Sequence, residues 1–198
     1  MNSSSPSRVA FQGELGAFSE EAALKLLGSG IQLVPRRSFE TLFRSLDEGL
    51  AEYVLVPVEN SLIGAIQPAV DLLAKSSLSI VGEIAIRIRQ LLIGCPDAMF
   101  GEILAIESHP AALAQCRRFF AAHPHIERVE AEDTAGSVAR IVEGRDRTRA
   151  AIAGRRAAKL YGGSILRENL EDDPENYTRF LLLSGQDSSK ARPARKVQ

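Results

Sequence analysis

Apolar residues recur along this chain with two alternating spacings. Short runs suited to strands, Val9 to Phe11, Gln32 to Val34 and Tyr53 to Val58, alternate with segments of helical period, Phe18 to Leu27 and Phe39 to Leu46. That rhythm predicts α/β layering with largely parallel strands. In the first helical segment Phe18, Ala22 and Leu26 share one face, which leaves Glu20, Glu21 and Lys25 for solvent. The acids near its start favour the positive end of the helix dipole.

From Ser79 to Ile93 the spacing switches to two, with Ile84, Ile86 and Ile88 alternating with Ala85, Arg87 and Arg89. This predicts one long strand able to cross between two lobes. The rhythm then restarts: a strand at Ile103 to Ile106, a helix from Pro110 to Phe120, a strand near Ile126 to Val129, a helix near Ala135 to Val142 and a strand at Ala150 to Ala153. Two similar α/β units, with no sequence repeat at a fixed period, predict two lobes with a cleft between them. The expected boundaries are 8–84 plus 167–184 for lobe 1 and 85–166 for lobe 2. From 185 to 198 the chain is Ser-, Lys- and Arg-rich, and a disordered tail is expected. That tail has no aromatic residue to stack on bases, which disfavours a nucleic-acid arm.

Composition narrows the function. With 45% hydrophobic residues, the 198-residue chain can bury one sizeable core or two of about 90 residues each. Its 24 basic and 25 acidic side chains give no global field for nucleic acid or an anionic membrane, so a small anion needs a local site. Cys95 and Cys116 lack Cys-x-x-Cys spacing, and His109, His123 and His125 form no ligand pattern with them. No metal or cofactor is expected, and the thiols read as reduced. The opening Met1 to Arg8 leads into an apolar run too short for a signal peptide or membrane span, which favours the cytoplasm.

Several segments place polar residues where ligands bind. Gly13-Glu14-Leu15-Gly16-Ala17-Phe18-Ser19 joins a strand to a helix without the third glycine of a dinucleotide fingerprint, and as a tight turn it needs no ligand. Glu59, Asn60 and Ser61, with Gly64 close behind, follow an apolar strand, the position of the ligand crevice in open α/β sheets. Asn60 and Ser61 serve equally well as caps of the next helix. Ser108 and His109 precede Pro110 at a second helix start; His109 could shuttle a proton, but capping is the commoner role. Cys116, two turns on, belongs to the core. At Asp133-Thr134-Ala135, Thr134 can satisfy orphan N–H groups or contact a ligand. The acidic stretch from Glu171 reads as solvated surface, yet it runs through Asn176, Thr178 and Arg179 into the apolar strand Phe180 to Leu183. There Arg179 can clamp a carboxylate and Thr178 can donate a hydrogen bond.

Taken together, these ordered motifs resemble the prephenate dehydratases from Val9 to Leu183. The resemblance rests on the Gly-rich Phe-Ser turn, Val-Pro-Val-Glu-Asn-Ser with Gly64 and Asp71-Leu72-Leu73, and Ser-His-Pro with Ala-Gln-Cys. It also rests on the Thr-Ala helix start, Ala-Ala-Ile-Ala and Asn-x-Thr-Arg-Phe. Glu14, Ala17 and Ala112 depart from the residues usual there, Pro, Thr and Gln.

The resemblance implies a two-lobed α/β fold similar to type 2 periplasmic binding proteins, with prephenate in the cleft and no cofactor. It implies a catalytic Thr178 acting on the leaving hydroxyl, with Glu59 as its partner. The implied substrate ligands are Asn60, Ser61, Gly64, Ser108, His109, Thr134, Ala135, Asn176, Arg179 and Phe180. It further implies a homodimer. The ACT motifs Gly-Ala-Leu-His and Glu-Ser-Arg-Pro do not occur, so an enzyme unregulated by phenylalanine is expected. Arogenate dehydratase on the same scaffold and a non-catalytic module binding small anions remain the alternatives.

Overall fold

A computed structural model describes residues 5–185; apart from Gly185, the expected tail at 185–198 lies outside the described residues. The chain opens with β1 (Arg8–Gln12), α1 (Phe18–Leu27), β2 (Gln32–Arg36), α2 (Phe39–Asp47) and β3 (Tyr53–Asn60). A short β4 (Gly64–Ala65), α3 (Gln67–Lys75) and β5 (Ser79–Arg87) follow. After these come β6 (Leu91–Gly94), β7 (Ala105–Ser108), α4 (Pro110–Ala114), α5 (Arg117–Ala122), β8 (Glu127–Glu130) and α6 (Thr134–Gly144). The series ends with β9 (Arg149–Ala153), α7 (Arg155–Tyr161), β10 (Ser164–Arg167) and β11 (Tyr177–Ser184).

The described residues form two compact α/β units, one of residues 5–13, 19–87 and 177–185, the other of 14–18 and 88–176. The expected boundaries differ at 14–18, 85–87 and 167–176. Residues 85–87 complete β5, while 168–176 are tied by hydrogen bonds to Gln90, Gln115 and α5.

In the first unit the sheet order is β2-β1-β3-β11-β5. The pairs of β1 with β2 and β3 are parallel, whereas β11 is antiparallel to both its neighbours. The expectation of largely parallel strands therefore holds for β1 to β3 and fails where the returning β11 inserts. Ala10, Val54, Val56, Leu181 and Leu183 build a core with Leu42 of α2 and Ala69 of α3. α2 starts at a capping box between Ser38 and Thr41. On α1, Ala22 and Leu26 are buried as their spacing requires, but Glu20 is 1% exposed and not solvated.

In the second unit the order is β10-β6-β9-β7-β8, with β9, β7 and β8 parallel and β6 antiparallel to β9 and β10. Ile106, Ile152, Leu113, Cys116 and Phe120 lie in one core cluster, and Leu91, Val138, Ile141 and Ala157 in another. The turn before α1 closes through the Ala17 N–H on the Glu14 carbonyl, 3.1 Å, whatever the side chains at 14 and 17. Gly16 is fixed there by a φ of +92° and by Ala157, whose Cα lies 2.9 Å from where a Cβ would stand.

Two expected elements are broken, both by the same loop. The long strand from Ser79 to Ile93 divides into β5 and β6, because its backbone at 88–90 bonds to the loop before β11. The Ile88 N–H goes to the Asn176 carbonyl (2.7 Å), the Gln90 N–H to the Glu171 carboxylate (2.8 Å), and the Gln90 carbonyl accepts from Leu170. The helix from Pro110 to Phe120 divides into α4 and α5, because Asp172 takes the Arg117 and Arg118 N–H groups at 3.0 and 2.9 Å. Its own N–H goes to the Gln115 carbonyl at 2.6 Å. Cys116 is fully buried as expected, at the joint between the two helices. The acidic loop is thus a docked element, with Glu171 only 7% exposed.

Candidate functional site

The first unit brings together residues 118 positions apart. Antiparallel register sets Thr178 opposite Asn60 and Arg179 opposite Glu59, with the register shifting between Arg179 and Phe180. Asn60 Nδ2 donates to Thr178 Oγ1 at 3.0 Å and to the Tyr177 carbonyl at 3.1 Å. Its Oδ1 accepts from the N–H groups of Leu62 and Ile63, which shapes the turn between β3 and β4. Gly64 adopts a φ of +79° where the chain reverses into β4. Ser61 Oγ accepts from the Tyr177 N–H at 2.9 Å, and its own N–H donates to the Tyr177 carbonyl. Neither residue caps the next helix: α3 begins at Gln67, with Ile66 as N-cap and Pro68 in its first turn. What Asn60 and Ser61 hold is the start of β11.

Thr178 is 8% exposed and Asn60 4%. On the other face of the sheet Arg179 Nε meets Glu59 Oε2 at 3.2 Å, and Arg179 Nη1 meets Glu83 Oε2 at 3.7 Å. All three side chains are about half-exposed. Successive strand residues face opposite ways, so Glu59 is the partner of Arg179 and not of Thr178. The expected carboxylate clamp has its fork directed at two protein carboxylates. Phe180, expected as a substrate ligand, is 2% exposed, on a strand paired with β3 and β5.

The second unit holds the remaining candidates. Ser108 is fully buried, and its hydroxyl donates to the Ile152 carbonyl at 2.6 Å, which ties β7 to β9 and uses its proton. His109 is the N-cap of α4, its Nδ1 accepting from the Ala111 N–H at 3.2 Å. The capping reading is the one realised. At α6 the cap is Asp133, which accepts from the Gly136 N–H, so Thr134 is not the capping residue. A Cβ on Gly136 would lie 2.6 Å from the Asp133 carboxylate, which explains the glycine. Thr134 and Ala135 occupy the first turn of α6, whose N–H groups have no acceptor within the helix. The Ala135 side chain is fully buried, so only its backbone can serve a ligand.

Asn176 is fully buried, its Nδ2 donating to Gln115 Oε1 at 2.9 Å; Gln115 Oε1 also accepts from Gln90 Nε2 at 3.1 Å. Sequence reasoning missed Gln90 and passed over Gln115, because a glutamine carries no chemistry that its spacing would expose. Asp172 is likewise a holding group. Its burial raises the carboxyl's pKa, but the N–H groups of Arg118 and Arg117 and their side chains outweigh this and hold it below the ordinary value. Burial, with Asp172 and Glu171 nearby, pushes the Cys116 thiol up to about 12. A cleft of about 320 Å³ lined by Arg118, Phe119, His123 and Arg167 contains none of the sequence-derived site residues.

The family model described as prephenate dehydratase matches residues 9–188. A bifunctional chorismate mutase/prephenate dehydratase of Stutzerimonas stutzeri is 39% identical over 92% of this chain and 50% of its own length. Arogenate dehydratase 1 of Petunia hybrida is 39% identical over 89% of this chain and 42% of its own. The solved prephenate dehydratase from Arthrobacter aurescens, crystallised with L-Phe, superposes with a TM-score of 0.83 at 30% identity. It is matched over 95% of this chain and 62% of that one. The chain therefore spans about half the length of the curated relatives it matches. With a matching model over nearly all of its described residues, and with two α/β units that superpose on a solved member, the chain belongs to the prephenate dehydratase family.

Proposed function

We propose that this chain carries the catalytic part of a prephenate dehydratase, forming phenylpyruvate, carbon dioxide and water. The observation that carries this reading is the Thr178 hydroxyl, nearly buried at the start of β11 and held by the amide of Asn60. In the reaction the bond from the ring to its carboxylate breaks, and that electron pair enters the ring as the ring C–O bond breaks. The departing oxygen leaves with the C–O pair and takes one proton, which makes water. Aromaticity supplies the drive, so the protein's task is to stabilise negative charge on that oxygen. A threonine hydroxyl is too weak an acid to deliver the proton outright, and Thr178 acts by donating a hydrogen bond in place. One such donor is worth about 10²- to 10³-fold in kcat.

Glu59 and Arg179 brace β3 against β11 on the opposite face. In the second unit, the first-turn N–H groups of α6 at Thr134 and Ala135 are the groups best suited to a substrate carboxylate. His109, Ser108, Asn176 and Phe180 support the backbone. The same reading takes the enzyme as a cytoplasmic homodimer acting on a small molecule without metal, cofactor or nucleic acid. No described helix is long and apolar enough to cross a membrane. This reading also takes catalysis as independent of phenylalanine. Titrating phenylalanine into the assay tests that point.

The test of the main reading is phenylpyruvate formation by the purified chain supplied with prephenate; no turnover overturns it. A second reading, arogenate as substrate, is favoured by relatives named arogenate dehydratases at comparable identity. Arogenate carries an ammonium where prephenate has a keto oxygen, and the ratio of kcat/KM for the two decides between them.

A further inference from the structure

Asn60 has little left to offer a substrate. A primary amide has two N–H donors and an oxygen with two acceptor positions. Asn60 Nδ2 donates to Thr178 Oγ1 and the Tyr177 carbonyl, and Oδ1 accepts from the N–H groups of Leu62 (3.0 Å) and Ile63 (3.3 Å). Backbone N–H groups can only donate, so they fix which end of the amide is oxygen. Turning the amide over would set Oδ1 against the Tyr177 carbonyl and Nδ2 against two N–H groups. Nδ2 is therefore committed as a donor to Thr178 Oγ1. Among the described residues, none accepts the Thr178 hydroxyl proton.

We infer that Asn60 is a positioning residue and not a substrate ligand: by donating to Thr178 Oγ1 it leaves the Thr178 proton for the departing oxygen of the substrate. A hydroxyl can donate once and accept twice, and its rotor follows its surroundings. With Asn60 donating, rotation of the hydroxyl proton toward Nδ2 is disfavoured. The donated bond also polarises the O–H, which strengthens the bond it gives in turn. This inference rests on the role proposed for Thr178, and it assigns the Val-Glu-Asn-Ser motif a task that the residue types alone do not reveal.

The discriminating variant is Asn60→Asp. Its carboxylate still accepts from Leu62 and Ile63, but when ionised it presents an acceptor to Thr178 and captures the proton. At neutral pH kcat falls about 100-fold, in line with loss of one preorganised donor, while KM changes little. On acidification the protonated carboxyl can donate again, so kcat of the variant recovers toward low pH, a rise the wild type lacks. In a Thr178→Val background, Asn60→Asp lowers kcat no further. An unchanged kcat, a rise in KM alone, or a loss without acid recovery overturns the inference. Absence of turnover in the wild type overturns the functional reading instead. Should Asn60→Asp not fold, NMR of the wild type gives the answer. The Asn60 side-chain amide protons exchange slowly with solvent and shift on Thr178→Val; unmoved signals overturn the inference.

Discussion

Thr178 and Arg179 are adjacent in sequence and lie on opposite faces of their sheet. Thr178 stands beside Asn60 and Ile86, and Arg179 beside Glu59 and Ala85. The period of two that sends one side chain to a buried face sends the next to a half-exposed one. The Thr-Arg-Phe motif therefore separates a nearly buried hydroxyl, a brace and a core residue, and each responds differently to substitution.

Thr178→Ala should lower kcat by about 10²- to 10³-fold, the usual loss for one donor to a developing oxyanion. The cost in stability is about 1–3 kcal/mol, from the Asn60 donor left without its partner. Thr178→Ser keeps the hydroxyl and should keep most of the activity. Steady-state kinetics and denaturant melts on the three proteins check this, and near-wild-type kcat in the alanine variant would remove Thr178 from the mechanism.

Arg179→Lys retains the charge near Glu59 and Glu83 but loses the planar fork. These are half-exposed pairs, for which a loss below about 1 kcal/mol is usual. The expected outcome is a slightly lower Tm with kcat/KM for prephenate within about tenfold of wild type. A collapse of kcat/KM at unchanged Tm would instead show that the guanidinium grips the substrate carboxylate, the role expected from sequence.

Asp172 makes stability depend on acid. Its carboxyl is held below its ordinary value, about 3.9, because its bonds to the Arg118 and Arg117 N–H groups outweigh its burial. A depressed carboxyl stabilises the fold fully above the unfolded-state value, and that contribution is lost as the pH falls through the folded value. Asp172→Asn should therefore cost about 1 kcal/mol at neutral pH, the usual worth of a helix-capping side chain. Its Tm deficit should be constant from about pH 5 upward, begin to shrink below about pH 4, and close as the pH falls through the lowered folded-state value. A deficit that is undiminished below the unfolded-state value would contradict the assignment.

Cys116 should be inert in the folded protein. Its thiol is pushed up to about 12 by burial and by Asp172 and Glu171, so the nucleophilic thiolate is scarce at pH 8. Cys95 is buried as well. Neither should react with a thiol reagent at pH 8 until denaturant is added. Stoichiometric labelling of one thiol in native buffer would show that the segment at 115–117 opens readily.

Period and motif order determined most of the local structure. Alternating spacings located β1, α1, β2, α2 and β3, and the isoleucines at 84 and 86 marked a strand whose inward face is buried. The motifs pointed to Asn60 and Thr178, because polar residues adjoining an apolar strand are costly unless they have partners. Only the tertiary structure decided who those partners are. That β11 returns antiparallel beside β3 fixes Asn60 on Thr178 and turns Glu59 to Arg179; no local pattern contains a register between strands 118 residues apart. The loop at 170–176 acts in the same way. Read alone, its acids belong in water, but docked they take the N–H groups of Gln90, Arg117 and Arg118, and so end a strand and divide a helix whose own sequences run on. Periodicity reports which face a residue prefers, whereas a backbone N–H goes to whichever acceptor the fold brings within about 3 Å.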